Sequence, residues 1–221
     1  TGRFTIVAAQ APTVTFRDNN RTYGDDLSAD YTFDFVEEGY DERYVVEVTG
    51  MPTYVDAGSY EFEVVDGQIV ALKDRQAAFV MDYAIYAAGD DSKEDLKSNF
   101  GTVKVKGAWE VAKRVVRMVA PSGEYVYDGT AHTVSGMDYH PFFDTRFLAN
   151  EAPTFSMTGS QTEVGTSENT YTCEWPAGVN PDNYSVIITP GEITVTPLDV
   201  VVAIKGNTVA SSFVKLPSFN S

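Results

Sequence analysis

The sequence predicts an all-β protein of 221 residues, built as two β-sandwiches in tandem with a short extra strand segment at each end. Three observations lead to this prediction. Apolar and polar residues alternate with a period of two along most of the chain, which is typical of strands with one buried and one wet face. Gly, Pro, Asn and Asp separate these runs at the spacing expected of a sandwich. Finally, one series of landmarks occurs twice in the same order.

The alternation is clearest where aromatic residues alternate with acidic ones, as in residues 60–64. The same pattern predicts strands around Tyr31, Phe33 and Phe35; Tyr44, Val46 and Val48; Val103 and Val105; Tyr171, Cys173 and Trp175; and Ile193 and Val195. Residues 68–79 fit either a strand or a helix. The polar segment 90–99 is predicted to be a loop insertion with at most one or two helical turns, in which Ser92 and Asp95 match a capping pattern.

The landmarks of the repeat are glycines, tyrosines and turns. A glycine followed by alternating apolar residues occurs at Gly2, Gly101 and Gly191. An Asx-Tyr strand precedes the second and third of these glycines, as Asp82-Tyr83 and Asn183-Tyr184. A turn lies near the start of each copy, as Tyr23-Gly24-Asp25 and Tyr127-Asp128-Gly129. The period of about 90–100 residues matches a seven-stranded immunoglobulin-like sandwich and is too long for a propeller blade.

These landmarks divide the chain into four parts. Residues 1–10 are predicted to be a leading strand or linker, and residues 11–107 to be the first immunoglobulin-like module. Residues 108–197 are predicted to be the second module. Residues 198–221 have the pattern of a partial third repeat or tail. Because the chain does not begin with Met, we expect it to be a piece of a longer protein.

The landmarks resemble the MBG modules, which are immunoglobulin-like repeats found in tandem in adhesin-like proteins of the bacterial cell surface. Tyr23-Gly24-Asp25 resembles the Tyr-Gly-X type of module, and residues 127–136 are similar to the Tyr-Asp-Gly type. The segment 183–197 also fits the pattern. The first module departs from it in Gly58-Ser59-Tyr60, where Gly-Thr-Tyr is usual, and in its insertion. The resemblance covers residues 11–197 and implies a spacer or an adhesive unit.

We expect the residues of this signature to be structural: Tyr23, Gly24, Tyr127, Asp128, Gly129, Tyr184 and Gly191. Glycine supplies the positive φ that such a turn needs, and Asp128 can bond the backbone of its own turn. Tyr127 is expected to anchor the turn by burying its ring and bonding its hydroxyl.

Enzyme motifs are absent from the sequence, so we expect no catalytic, cofactor-binding or metal-binding residue. The chain has no P-loop, dinucleotide glycine fingerprint, His-Glu-x-x-His, Cys-x-x-Cys or Gly-x-Ser-x-Gly. His132 lies in the signature and is interpreted as a strand or turn residue. Cys173 lies on the apolar phase of its strand, which predicts a buried and inert thiol. Glu61 and Glu63 share a wet strand face, whereas a glycosidase holds one of its acids in an apolar cleft.

Calcium is the one cofactor that the sequence leaves open. Acidic pairs in predicted loops occur at Asp25-Asp26, Glu37-Glu38, Asp41-Glu42 and Asp90-Asp91. None has EF-hand spacing, and solvated carboxylates are the alternative interpretation. A self-made Lys–Asn crosslink is not expected, because the first module has no Lys before Lys73 and the final strand of the second has no Asn.

The chain is strongly acidic, with 32 Asp and Glu against 16 Lys and Arg and a net charge of −16. Residues 11–107 carry −11 (20 acids, 9 bases) and residues 108–197 carry −7 (11 acids, 4 bases). This charge disfavours nucleic acids and direct membrane contact, which need clustered Lys and Arg. We interpret the acidity as a solubility property, with a specific cation-binding surface as the alternative.

Together these features favour a monomeric, non-catalytic stalk of an extracellular adhesin-like protein, whose partners are the adjacent repeats of its own chain. One alternative is a module that binds a host glycan or protein, and another is an accessory module of a secreted carbohydrate-active enzyme. The binding alternative points to Tyr139, His140 and Phe142, since aromatic loop residues suit such contacts. Phe142 and Phe143 also fit a core position.

Overall fold

The computed structural model of the protein describes residues 8–17, 20–27, 31–34, 43–203 and 205–206. This part of the chain is nearly all β, and its helical elements are two short 3-10 helices, Lys97–Asn99 and Pro181–Asn183. The prediction of an all-β, sandwich-type fold is confirmed. Each of these 3-10 helices has three residues, whereas a membrane-spanning helix needs about 20, and the described residues contain no candidate for such a span.

Nine strands surround the first core. They are β1 Thr13–Phe16, β2 Asn20–Thr22, β3 Tyr31–Asp34, β4 Tyr44–Thr49, β5 Gly58–Val65, β6 Gln68–Lys73, β7 Gln76–Ala87, β8 Lys104–Lys106 and β9 Ala108–Ala112. One sheet has the order β2-β9-β5-β6-β7-β4 and the other has the order β3-β1-β8. Trp109 and Phe16 lie fully buried between them, and the Phe16 ring stacks on Phe62 at 3.9 Å between centroids.

Eight strands form the second group. They are β10 Arg114–Val119, β11 Gly123–Val126, β12 Asp138–Tyr139, β13 Thr154–Met157, β14 Gly165–Glu168, β15 Tyr171–Glu174, β16 Tyr184–Thr189 and β17 Glu192–Thr196. They pair as β12-β10-β16, β11-β17-β14 and β13-β15. We call the unit that ends with β9 the first module and the unit from β10 to β17 the second module.

The alternation in the sequence translates into half-buried strands in most places. Residues 60–64 alternate between inward and exposed positions in β5, and residues 68–73 form strand β6 rather than a helix. The expectation for Cys173 is wrong, because all four residues of β15 are exposed. This strand pairs only with β13 in a two-stranded sheet, so no second layer covers the phase that was predicted to be buried. Partial desolvation still raises the pKa of the Cys173 thiol, which disfavours the reactive thiolate.

Strand register shows which positions of the two modules are equivalent. The parallel pairing aligns Ala9 with Phe100 in the first module and Arg114 with Tyr184 in the second. Each aromatic residue follows a 3-10 helix that ends in Asn99 or Asn183. The partner of Asn183-Tyr184 is therefore residues 99–100, and not Asp82-Tyr83 as the sequence suggested.

The glycine equivalent to Gly191 is Gly107, and not Gly101. Gly107 follows Phe100 by seven residues, as Gly191 follows Tyr184. A β-carbon on Gly107 would lie 2.1 Å from the carbonyl oxygen of Phe16, and one on Gly191 would lie 2.2 Å from that of Pro121. Both glycines therefore allow the last strand to cross close to the end of the first strand.

The module boundary consequently moves from residue 107 to about residue 113. The sequence assigned residues 108–112 to the second module, but β9 pairs with β5 and β2, and Trp109 lies in the first core. Apolar and polar residues alternate after both Gly101 and Gly107, so the sequence pattern alone fits either glycine. The boundary was predicted too early because Gly101 was taken as the equivalent of Gly191.

The insertion is shorter than predicted, and its cap differs. Asp90 accepts hydrogen bonds from the backbone N–H and the hydroxyl of Ser92, so Ser92 does not cap a helix. Asp95 Oδ1 accepts from the backbone N–H groups of Ile85 and Lys97 and thereby fixes the turn that leads into the first 3-10 helix. Residues 97–99 have their counterpart in the second module, so they belong to the repeat and not to the insertion.

The two ends are described only in part. Residues 1–7 and 207–221 lie outside the described residues, and Ala9 bridges to Phe100 as a leading segment would. Residues 198–203 and 205–206 form no strand within the described structure. The predicted strand character of the tail is therefore not observed in the described part of 198–221.

Candidate functional site: the joint between the modules

The two modules meet at a polar and aromatic contact that begins with the Tyr-Gly turn. The backbone N–H of Tyr23 donates to Ala112 O at 2.9 Å, which holds the turn against the end of β9. Asp25 closes the turn, since its carboxylate accepts from Thr22 N at 2.8 Å. Because Gly24 has φ +93°, the chain reverses sharply and Tyr23 points out of its own module.

Tyr23 is 5% exposed, but it is buried among residues of the second module. Its ring lies edge-on to that of Tyr184, with 5.4 Å between centroids. Tyr184 in turn contacts Phe147 and Trp175. The Tyr23 side chain therefore completes the aromatic core at the near end of the second module.

Glu151 receives a hydrogen bond from each of the two tyrosines. Tyr23 Oη lies 3.1 Å from both carboxylate oxygens, and Tyr184 Oη donates to Oε2 at 2.5 Å. Burial and, after it, the neighbouring Glu151 charge together raise the pKa of Tyr23 to about 12. Burial followed by the hydrogen bond to Glu151 also raises the pKa of Tyr184. Both hydroxyls thus remain protonated donors near neutral pH.

Asn183 forms the second polar contact of the joint. It is 1% exposed, and both ends of its side-chain amide bond to the first module. Its Oδ1 accepts from Ala57 N at 2.9 Å, and its Nδ2 donates to Asp56 Oδ1 at 2.8 Å. Asn180 Nδ2 donates to the other oxygen of Asp56 at 3.1 Å. A buried amide satisfied in this way favours one orientation, because any rotation of the modules leaves it unpaired.

Two close approaches complete the contact. Arg114 Nη1 donates to the carbonyl oxygen of Tyr23 at 3.4 Å, and Leu148 packs against Gly24. A β-carbon at Gly24 would lie 2.8 Å from Leu148 Cδ2. The Tyr54 ring lies edge-on to that of Tyr23, with 5.6 Å between centroids. We call this whole contact the joint; its residues are Tyr23, Gly24, Tyr54, Asp56 and Ala57 from the first module, and Arg114, Leu148, Glu151, Asn180, Asn183 and Tyr184 from the second.

The second Tyr turn adopts the predicted local structure. Gly129 has φ +78°, and Asp128 Oδ1 accepts from the N–H and hydroxyl of Thr130, which lowers the pKa of Asp128. His132 stacks on Tyr125 and approaches Asp128, so it is a residue of the turn as predicted. Tyr127 is only half-buried, and its hydroxyl has no hydrogen-bond partner among the described residues. The expected anchoring role is thus seen for Tyr23, across the joint, and not for Tyr127.

The three residues proposed for ligand contact, Tyr139, His140 and Phe142, differ in how far they are exposed. Tyr139 packs on Phe147 and is half-buried. Phe142 is 86% exposed, so it does not lie in the core. His140 lies beside the Phe142 ring and the Phe143 ring. Phe143 is also exposed, at 42%, so the core position that the sequence allowed is wrong for both phenylalanines. The loop thus presents two exposed aromatic side chains, and Tyr139 belongs to the support beneath them.

A cleft of about 560 Å³ lies in the first module between β3, β4 and the start of the insertion. Tyr31, Phe33 and Tyr86 line it, and Lys93 pairs with Glu47 at its edge with 2.9 Å between Nζ and Oε2. Residues 35–42, which connect β3 to β4, lie outside the described residues. The sequence analysis did not foresee this cleft, because its walls come from strands that are distant in the chain.

Metal ligands do not converge in the described part of the chain, where no group of three or more His, Cys, Asp or Glu could hold an ion. Asp25 is engaged in its own turn, and Asp90 bonds Ser92. The pairs Glu37-Glu38 and Asp41-Glu42 lie outside the described residues.

Among the joint residues to which sequence reasoning gave no role there, three supply polar side chains from loops: Asp56, Glu151 and Asn180. Each lies in a loop, where a single polar residue has no periodic signal. Asn183 and Tyr184 were recognised as a landmark, but their contact with the first module was not. Asp56 precedes Gly58 by two residues, and this fixed distance from a landmark is the signal that could have drawn attention to it.

Comparisons of the chain with protein-family models, with curated proteins and with solved structures give no match. The resemblance to MBG modules therefore remains a prediction from the motifs, and the geometry of the joint is the main basis for a functional proposal.

Proposed function

We propose that this chain is a non-catalytic stalk segment of an extracellular, adhesin-like protein of the bacterial cell surface. In this role, a stiff joint between consecutive β-modules keeps a distal part of the protein away from the cell. The observation that carries the proposal is the buried Asn183 side chain, whose two ends both bond the first module. A flexible linker would not bury a polar group that only one orientation satisfies.

Two further features support a stalk. Tyr23 is buried in the neighbouring module, which adds apolar contact to the polar contact. The net charge of −16 keeps neighbouring stalks apart in solution. The Tyr-Gly and Tyr-Asp-Gly motifs resemble those of surface repeats and suggest the location.

Stiffness is tested by measuring the distance between two spin labels, one on each module. The labels are attached at Glu63→Cys and Glu168→Cys, which are exposed strand positions, in a Cys173→Ser background. We expect one narrow distance distribution for the parent, and a broad one when Tyr23→Ala and Asn183→Ala are added. Tyr171→Ala, an exposed aromatic on β15, is the matched control and leaves the distribution narrow. A broad distribution in the parent itself would overturn the stiff stalk.

Surface location is tested with an antibody raised against this chain. Labelling of intact source bacteria, without permeabilisation, is the expected result. Labelling only after lysis would exclude a cell-surface stalk.

Binding of a glycan or host protein is the second candidate function, favoured by the aromatic cleft of the first module and by the exposed Phe142 ring. A glycan array with the parent protein, Tyr86→Ala and Phe142→Ala tests it. Signal lost in one of these variants and kept in Tyr171→Ala would favour binding. The stalk proposal expects no signal that depends on either residue.

A further inference from the structure

We infer that the far end of the second module is a docking surface for another module of the same type, held by Tyr127 and Glu163 as Tyr23 and Asp56 hold the observed joint. This inference rests on the proposed stalk function and names its repeating contact. The occupant is a module that presents an Asn-Tyr pair at the end of a 3-10 turn, as the second module does.

The Tyr127 turn occupies the same place in the second module as the Tyr23 turn does in the first. Tyr127 N donates to Thr196 O at 2.8 Å, and Tyr23 N donates to Ala112 O at 2.9 Å. Thr196 follows Gly191 by five residues, as Ala112 follows Gly107. The two tyrosines therefore leave the same corner of their modules. The second module covers the Tyr23 side chain, which is 5% exposed. The Tyr127 side chain is half-buried.

Glu163 occupies the place in the second module that Asp56 occupies in the first. Gly58 pairs with Val111 in β9, and Gly165 pairs with Val195 at the equivalent place in β17. A carboxylate precedes each glycine by two residues, as Asp56 in the first module and Glu163 in the second. Glu163 is exposed, so a carboxylate is available at the place from which Asp56 accepts two amide donors.

The segment after β17 matches the first strand of the second module in sequence, and this match indicates which kind of module would dock here. Arg114 is seven residues beyond Gly107, and Leu198 is seven residues beyond Gly191. Val200 and Val202 thus match Val116 and Met118, which are buried core residues of β10. In the structure Val200 and Val202 are 72% and 76% exposed. Apolar side chains at core positions next to the docking surface fit the first strand of a like module.

One feature differs between the two ends. The second turn has Asp128 where the first has Gly24, and its glycine comes one residue later. No atom lies within 4 Å of a β-carbon built on Gly129. We expect the close approach that Leu148 makes at Gly24 to be looser at the second joint, while the tyrosine and carboxylate contacts are retained.

The test extends the chain after Pro197 with a second copy of residues 114–197, which keeps the seven-residue spacing from Gly191. All variants carry Cys173→Ser in both copies, and a short bismaleimide measures proximity. The pair Ala57→Cys with Asp182→Cys reports the observed joint, because Ala57 bonds Asn183 through its backbone N–H and Asp182 is an exposed neighbour of Asn183. The pair Val164→Cys with Asp182→Cys of the added copy reports the proposed joint and leaves Glu163 in place. Val164→Cys with Thr172→Cys of the added copy is the control, because Thr172 lies exposed on the flank of its module.

We expect the first two pairs to crosslink at similar rates and the control to crosslink at least about tenfold more slowly, since docking raises the effective concentration of the partner thiol. Adding Tyr127→Ala should slow the Val164 pair about tenfold and leave the Ala57 pair unchanged. If the Ala57 pair is fast but the Val164 pair is as slow as the control, the inference fails and the stalk proposal survives. If the Ala57 pair is also slow, both fail.

Discussion

Glu151 accepts hydrogen bonds from two tyrosine hydroxyls that belong to different modules. Removal of either hydroxyl oxygen is therefore expected to weaken the joint. The hydroxyls of Tyr23 and Tyr184 are buried donors, and each hydrogen bond to a charged acceptor contributes about 1.5–3 kcal/mol. Burial, followed by the charge of Glu151, raises the pKa of Tyr23 to about 12. The contact is therefore formed by neutral tyrosine and is lost when tyrosine ionises.

Tyr23→Phe tests this contact as a function of pH. We expect the variant to lose about 1–3 kcal/mol of unfolding free energy at pH 8, measured by chemical denaturation. The folded-state pKa of Tyr23 lies above the ordinary value of about 10. The contribution of its hydroxyl is therefore complete below about pH 10, and it disappears as the pH rises through about 12.

The matched control is Tyr171→Phe, which changes an exposed hydroxyl on β15. It should leave the unfolding free energy unchanged across the same pH range. A difference between parent and Tyr23→Phe that persists at pH 12 would show that the hydroxyl does not act through its protonated form.

Gly107→Ala is the second prediction at the scale of single residues. Gly107 has φ +91°, and an added β-carbon would lie 2.1 Å from the Phe16 carbonyl oxygen. We expect the variant to be destabilised by more than about 3 kcal/mol, because neither backbone can move without breaking the pairing of β1 or β9. Gly89→Ala, with φ +80° and open space around it, should cost only about 1 kcal/mol. Equal losses in thermal denaturation would contradict the crossing of these strands.

At the scale of elements, the insertion is held by one carboxylate. Asp95 Oδ1 accepts from Ile85 N at 3.1 Å and from Lys97 N at 3.0 Å, and so connects β7 to the first 3-10 helix. Lys97 adds an ion pair with Asp82 at 3.0 Å. The 3-10 helix ends in Asn99, whose counterpart Asn183 lies in the joint, so the insertion sits next to the near end of the first module.

Asp95→Ala is expected to loosen this element without unfolding the module. The backbone N–H groups of Ile85 and Lys97 lose their acceptor, at a cost of about 1–3 kcal/mol. Hydrogen exchange should accelerate at residues 85 and 96–99, and protection in β5 and β6 should remain. Glu94→Ala, an exposed neighbour, is the control and should leave the exchange pattern unchanged. Uniformly faster exchange in the whole module would contradict a local role.

At the scale of the whole molecule, the joint couples two modules that have separate cores. Trp109 and Phe16 lie in the first core, whereas Phe147 and Tyr184 lie in the second. Contacts between the modules are polar at Asn183 and Glu151 and aromatic at Tyr23. Such a joint should make unfolding of one module depend on the other.

A double-mutant cycle between Tyr23→Phe and Glu151→Ala measures the coupling. Glu151→Ala leaves two buried hydroxyls without their acceptor, so we expect a loss of about 2–4 kcal/mol. The two losses should be non-additive by at least about 1 kcal/mol, since the residues are in direct contact. The cycle of Tyr23→Phe with Glu124→Ala, an exposed residue of β11, should be additive. Additive losses in the first cycle would mean that the modules are not coupled through Glu151.

The match between sequence and structure depends on how local each feature is. The strands around residues 44–49, 58–65 and 192–196 were predicted, because alternation reports which face of a strand is buried. The turns at Tyr23 and Tyr127 were paired with each other, because glycine and Asx residues mark a backbone reversal locally. Cys173 was assigned to a core because its strand alternates, but the alternation of β15 is not matched by a second layer.

The sequence by itself determined the all-β character and the two-fold repetition, since side-chain alternation and turn chemistry act over a few residues. Only the tertiary structure decided which glycine closes the first module. Gly101 and Gly107 carry similar patterns, and the distinction comes from the Phe16 carbonyl, more than 80 residues away in the chain. The joint was decided in the same way, because Tyr23 and Glu151 are 128 residues apart and meet only when both modules are folded. Hydrogen bonds between loops leave no periodic trace in a sequence, whereas burial along a strand does.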